Sequence, residues 1–155
     1  MKSVLYRIAA VLLVLFAIGH TLGFRQDNPE WGATSVIRAM QSTHFDAQGF
    51  NRTYWDFFSA FGLFFSVFVL FAAALAWQLA GFTTDTLASL CGIQWSLAVC
   101  FLAITILSWM YAFTIPVVFS SVIALCLIAA AWLPKPRLSK DYLRVTNNAI
   151  EFVNF

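Results

Sequence analysis

The reading of the fold turns on residues 87–133, LASLCGIQWSLAVCFLAITILSWMYAFTIPVVFSSVIALCLIAAAWL, 47 residues without one charge. As a single helix this stretch would reach about 70 Å at 1.5 Å per residue, about twice the ~30 Å of a bilayer's hydrocarbon core. It must therefore fold back once. Pro116 marks the place, because its ring fits the first turn of a helix and Thr114 ahead of it can cap. The stretch predicts two spans, 87–113 and 115–133.

Two more runs of the same kind lie upstream. Residues 4–24 hold only Arg7 and His20 as ionisable groups, and residues 54–80 only Asp56. The expected fold is all-α: a four-helix transmembrane bundle, up-down-up-down, in one integral membrane domain covering residues 1–155. Regular period-2 alternation is missing, which excludes a transmembrane barrel. The composition agrees, with 61% hydrophobic and 10% charged residues, 17 Phe and 6 Trp. Soluble domains are nearer 45–50% apolar and about 25% charged. A disordered chain, a nucleic-acid binder and an ordinary soluble enzyme are excluded on these grounds.

Lys and Arg placement sets the expected orientation. Lys2, Arg7, Lys135, Arg137, Lys140 and Arg144 fall on one side of four spans, and Arg25, Arg38 and Arg52 on the other. Six against three puts both termini in the cytoplasm. Lys2 and Arg7 before an apolar run also suit a signal peptide, but the run continues through His20 to Phe24 without a small-x-small cleavage site. An uncleaved first span is expected. Residues 25–53 then form a long outer connection. Asn28-Pro29-Glu30-Trp31 has helix-start chemistry, and Val36, Ile37 and Met40 give a short apolar face, so a small interfacial helix or a solvated loop fits there. The polar, basic tail 134–155 suits anionic headgroups.

Faces can be assigned within the spans. Phe57, Phe61, Phe64, Phe68 and Phe71 form a stripe expected to face lipid or a partner, while Ser59, Ser66 and Ala73 lie opposite and are expected to face helices. Gln94, Ala98, Phe101, Thr105, Ser108 and Ala112 share a face of the third span. Gly19 and Gly23 read as a Gly-x-x-x-Gly helix contact.

An ionisable group inside a span is a functional candidate. His20 near the end of the first span and Asp56 near the start of the second are expected at matching depth, within about one turn, roughly 5 Å. Together they would make a catalytic pair, a proton carrier with an orienting carboxylate, and Trp55, Ser108, Trp109, Tyr111 and Ser120 would supply ligand-binding walls and hydroxyls. A plainer alternative stands beside this one. Thr53-Tyr54-Trp55-Asp56 fits a capping box, Asp56 could pair with Arg52 or Arg25, and His20 could simply bond across helices. Paired His for bis-His haem are missing. Cys91, Cys100 and Cys126 are isolated and read as buried small hydrophobes, and no metal site is expected.

The segments Gly19-His20-Thr21-Leu22-Gly23-Phe24 and Tyr54-Trp55-Asp56-Phe57-Phe58, with Met40-Gln41-Ser42 and Phe45-Asp46 between them, resemble a family of small bacterial four-helix membrane proteins to which no activity is attached. The resemblance covers roughly the first 80 residues. It implies a bacterial cytoplasmic-membrane protein in which His20 and Asp56 belong to the family pattern, and it names no cofactor.

Two functions compete. In one, the bundle binds a lipophilic small molecule at its outer end, with His/Asp proton chemistry as the enzymatic form. In the other, it is a non-catalytic accessory or assembly subunit of a membrane complex. The partners implied are the lipid bilayer, a lipophilic ligand, and a membrane-protein partner or further copies of the chain. No nucleic acid is among them. A transporter ranks third, since 155 residues with one polar level offer little for alternating access. The topology has a direct test. After replacement of the three native Cys, an external thiol reagent should modify a Cys placed at Gln48 and spare one at Ser139; the reverse pattern inverts the orientation.

Overall fold

The structure, a computed structural model, describes residues 1–133. The basic tail 134–155, with four of the nine Lys and Arg used for the orientation, lies outside the described residues. Four helices are long and apolar enough to cross a membrane: α1 (Lys2–Gly23), α3 (Tyr54–Gly81), α5 (Cys91–Tyr111) and α6 (Thr114–Trp132). That is consistent with an integral membrane protein. Between α1 and α3 lie a short 3-10 turn (Pro29–Trp31), α2 (Thr34–Ser42) and two strands, β1 (His44–Ala47) and β2 (Phe50–Thr53). A six-residue helix, α4 (Thr84–Ser89), precedes α5.

Local chemistry explains most of these ends. Asn28 accepts from the Glu30 amide and starts the 3-10 turn, and Gly32 ends it at φ 63°. At the start of α3, the Thr53 hydroxyl accepts from the Asp56 amide at 3.1 Å and the Asp56 carboxylate accepts from the Thr53 amide at 2.9 Å. This reciprocal box satisfies two of the amides a helix start leaves unpaired. The strands pair antiparallel, with Phe45 opposite Arg52, and the chain reverses through Gln48 and Gly49, both at positive φ. The hairpin was not foreseen, because Gln-Gly is a weaker turn signal than Asn-Gly and the strands are short and polar.

Two boundaries differ from those expected. The third span does not begin at residue 87. Thr83 caps α4, Ser89 Oγ donates to the Thr86 carbonyl at 2.7 Å, and Leu90 leaves helical geometry, so α5 starts at Cys91. Ser and Thr side chains compete here with the helical ladder. At the other break Thr114 is the first helical residue and does not cap α6; Phe113 holds the cap position with no side-chain bond. Pro116 does sit in the first turn, where its missing N–H has no partner to lose.

Helix α1 packs against α3 on one side and α6 on the other, and α5 packs against α6. The seams are built largely of small side chains. Ala9, Ala10 and Ala17 of α1 are buried, as are Ala72, Ala73, Ala76 and Ala80 of α3, with Ala98, Ala124 and Ala130 on the other pair. Leu13, Val69, Phe101, Ile123 and Leu127 fill the spaces between them. Small residues let backbones approach closely, which gives helices a reason to associate where solvent tails are as apolar as Leu. On α3, Ser66 and Ala73 are buried, whereas Phe57, Phe61, Phe64, Phe68 and Phe71 are 55–71% exposed. The Gly19–Gly23 contact is not there. No atom stands within 4 Å of where a Cβ would lie on either residue. The close glycine is Gly62, whose absent Cβ would overlap the Phe24 ring. Rotation about α1 decides this, since one residue turns a side chain by about 100°.

Polar bonds fasten the end where α1 begins. Ser3 Oγ donates to the Ala80 carbonyl at 2.6 Å. The buried Tyr6 hydroxyl donates to Gln94 Oε1 at 3.0 Å, and Gln94 Nε2 donates to the Leu87 carbonyl. One side chain thereby ties α1, α4 and α5 together. The packing has a simple test. Ser66→Leu should cost about 1–3 kcal/mol of stability by overpacking a seam, while Phe64→Leu should stay within about 0.5 kcal/mol. Unfolding in graded dodecyl sulfate measures both, and equal tolerance would contradict the assigned faces.

Candidate functional site

His20 lies on the last turn of α1, half-buried. Its Nδ1 is 3.1 Å from Ser66 Oγ on α3. The adjacent Thr21 hydroxyl reaches the same Ser66 oxygen at 2.8 Å and its own Ala17 carbonyl at 2.7 Å. Ser66 Oγ also lies 3.2 Å from the Gly62 carbonyl, to which it can donate. Three side chains from two helices thus share one buried oxygen. The hydroxyl hydrogens fix what the ring can do. If Ser66 donates to the Gly62 carbonyl, Nδ1–H donates to Ser66 and Nε2 is an acceptor. If Ser66 donates to Nδ1, Nε2–H is a donor. In both arrangements, among the described residues, Nε2 takes no hydrogen bond.

Aromatic rings enclose the imidazole. His20 stacks on Phe24 with centroids 5.1 Å apart and planes 17° apart, and Phe65 approaches at 4.7 Å. Phe24 can lie there because Gly62 leaves room beneath it, and Phe58 closes its far side at 5.8 Å. Phe65 meets Phe16 edge-on at 6.1 Å, and Phe16 stacks on Phe119 of α6 at 5.9 Å. Nearby, Ser59 Oγ is buried without a partner among the described residues. Ser59, Gly62 and Ser66 follow one another along the same side of α3, at helical spacing.

The expected pair does not form. Asp56 is exposed, and its carboxylate is held by the Thr53 amide. The partner of His20 is Ser66, about 15 Å further along α3 from Asp56 at 1.5 Å per residue. The depth estimate failed because α3 is longer than α1, 28 residues against 22. Its first turns carry the hairpin, with Phe45 against Tyr54 at 5.1 Å and Phe57 at 6.2 Å.

The other candidates are dispersed. Trp55 is half-buried beside Phe58, with centroids 5.6 Å apart. Ser108 is half-buried, while Trp109 and Tyr111 are 78% and 79% exposed. Ser120 is fully buried and turns back to the Val117 carbonyl at 3.2 Å, so α6 reaches the aromatic group through Phe119 instead. Trp31 packs against Phe113 at the start of α6. Thr21, Phe24, Gly62 and Phe65 were missed as site residues, and Ser66 was assigned only to helix contact. A signal was present in Gly62-x-x-x-Ser66, a small-x-x-x-small pattern on the face already assigned to helix contact.

Beyond Phe65 an apolar groove of about 560 Å³ separates α3 from α5, lined among others by Phe68, Leu75, Leu97, Cys100 and Ile104. Phe65 touches both the imidazole and this groove.

No family model, curated protein or solved structure matches this chain.

Gly62 gives a test of the enclosure. Gly62→Ala should displace the Phe24 ring and cost about 1–3 kcal/mol, while Gly19→Ala, in open space, should stay within about 1 kcal/mol of wild type. The imidazole proton resonances of His20, read by NMR, should lose their ring-current shift in Gly62→Ala alone.

Proposed function

We propose that this chain is an integral membrane protein that binds a lipophilic molecule bearing one hydrogen-bonding head, with His20 as the residue that receives the head. The observation that carries the reading is His20 itself. It is an ionisable ring among apolar helices, anchored through Nδ1 and without a bond at Nε2 among the described residues. Placing such a group at membrane depth costs free energy, and in membrane proteins these residues mark ligand or proton sites. Ser59 Oγ, buried without a partner among the described residues about two turns from Ser66 along the same side of α3, supports a polar visitor near that end, since buried hydroxyls ordinarily find partners. The groove beside Phe65 supplies room for an apolar tail.

The spans run up-down-up-down in this reading. Ser3 lies beside Ala80 and Thr21 beside Ser66, as an opposed α1 and α3 require. The Lys and Arg asymmetry supports both termini in the cytoplasm, with the site toward the outer leaflet, and the resemblance noted above supports a bacterial membrane. Helix α2 and the hairpin then rest at the outer interface, α2 turning Ile37 and Met40 toward the bundle. Any proton moved at this site is carried by His20 through Nε2, with Ser66 holding the ring. Asp56 keeps its role in the helix cap.

The test is identification, by mass spectrometry, of the lipophilic species other than phospholipids retained by protein purified in mild detergent. Wild type should retain one, and His20→Ala should lower its occupancy about tenfold, the effect of about 1.4 kcal/mol. Asp56→Asn should leave it unchanged. Retention that survives His20→Ala would overturn the reading. A stable complex with another membrane protein and no retained molecule would favour the accessory-subunit alternative.

A further inference from the structure

A second groove runs along the other side of the α1–α3 pair. Its floor is made of Ala10, Ala73 and Ala74, and its banks of larger side chains including Val14, Leu70 and Trp77; its volume is about 500 Å³. It exists because alanines face each other where the two helices meet. The alanines that bring the backbones together leave a trough wherever they are not covered. Toward the start of α1 the groove ends at Gln78 and Trp77. There the Arg7 guanidinium lies over the Trp77 ring, 5.9 Å from its centroid. Both side chains are exposed.

This arrangement differs in kind from that of the first groove. The groove between α3 and α5, by contrast, is lined by apolar and small side chains with no charged residue among them. Here an apolar trough meets a cation at Trp77, and the Gln78 carboxamide lines the same end. Arg stays charged at any working pH and offers several N–H donors in a plane, a geometry that matches a phosphate. Stacking on Trp77 holds that plane in place and reduces the freedom lost on binding. The other described charges at this end are the N-terminus, Lys2 and Asp85, so the local balance is positive.

We propose that this face of α1 and α3 is a binding site for one anionic phospholipid, its phosphate on Arg7 and Gln78 and an acyl chain in the alanine-floored groove. Basic pockets between membrane helices on the cytoplasmic side recognise anionic headgroups by the same combination of charge and cleft. The site rests on the membrane placement proposed above and is independent of His20.

The experiment uses the full chain in phosphatidylcholine nanodiscs containing spin-labelled phosphatidylglycerol or spin-labelled phosphatidylcholine. The motionally restricted fraction of each label is read by electron paramagnetic resonance. Wild type should prefer phosphatidylglycerol about fivefold, the factor that corresponds to about 1 kcal/mol for one basic residue at the surface. Arg7→Gln should bring the ratio close to one, and Lys2→Gln should keep most of it. Ala74→Phe, which fills the groove and leaves Arg7 in place, should lower the restricted fraction of both labels. The site is overturned by equal affinities in wild type, by a preference that survives Arg7→Gln, or by one lost equally in Lys2→Gln. An unchanged restricted fraction in Ala74→Phe would show charge acting without the groove, and also overturns it. His20→Ala should leave every one of these values unchanged. A chain that stays out of the nanodiscs overturns the membrane reading and this site with it.

Discussion

Close approach of α1 to α3 is the constraint on which the rest of the structure depends. Water does not drive apolar helices together when their surroundings are equally apolar, so their association has to come from dispersion contacts and interhelical hydrogen bonds. Both need backbones near one another. Ala9, Ala10 and Ala17 on one helix and Ala72, Ala73, Ala76 and Ala80 on the other provide that nearness, and all are buried. The short side chains of Ser3, Thr21 and Ser66 can then reach across. With longer residues in the seam, neither the bond from Ser3 to the Ala80 carbonyl nor the one from Thr21 to Ser66 could close.

Polar groups collect toward the two ends of α1. At one end Tyr6, Gln94 and the Leu87 carbonyl join three helices. This network is closed: Tyr6 and Gln94 are both buried, and each bonds inside the protein. At the other end His20, Thr21 and Ser66 form a network that, among the described residues, is open at one ring nitrogen. A buried polar group whose bonds are all made within the protein acts as a fastener, whereas one with spare capacity can engage a ligand. That difference, more than the presence of an ionisable side chain, separates the two ends.

Much of the architecture was legible because it follows from run length and local chemistry. An uncharged stretch of 47 residues cannot cross a bilayer once, and Pro116 allowed a helix to restart only near where α6 does. The Thr53–Asp56 box, the exposed Phe stripe and the buried Ser66–Ala73 face could likewise be read from spacing. The start of α5 at Cys91 and the hairpin could not, since hydroxyl side chains and a weak Gln-Gly turn outweighed the apolar pattern there. Gly19 and Gly23 misled because a spacing motif does not say which way it faces.

The candidate site divides along the same line. Sequence alone determined that His20 stands inside an apolar helix and that Asp56 can cap the next long one, because depth within a span and capping are local properties. Tertiary structure decided that the two do not meet. The partner of a side chain depends on the relative slide and rotation of two rods, which the seam as a whole sets. Along α3 that slide moved the partner from Asp56 to Ser66, and on α1 the rotation turned Gly19 and Gly23 away while it left Phe24 over Gly62. Residues near in depth can be listed from a sequence; residues in contact are chosen by packing, whose energy is shared among many small contacts and belongs to no single one of them.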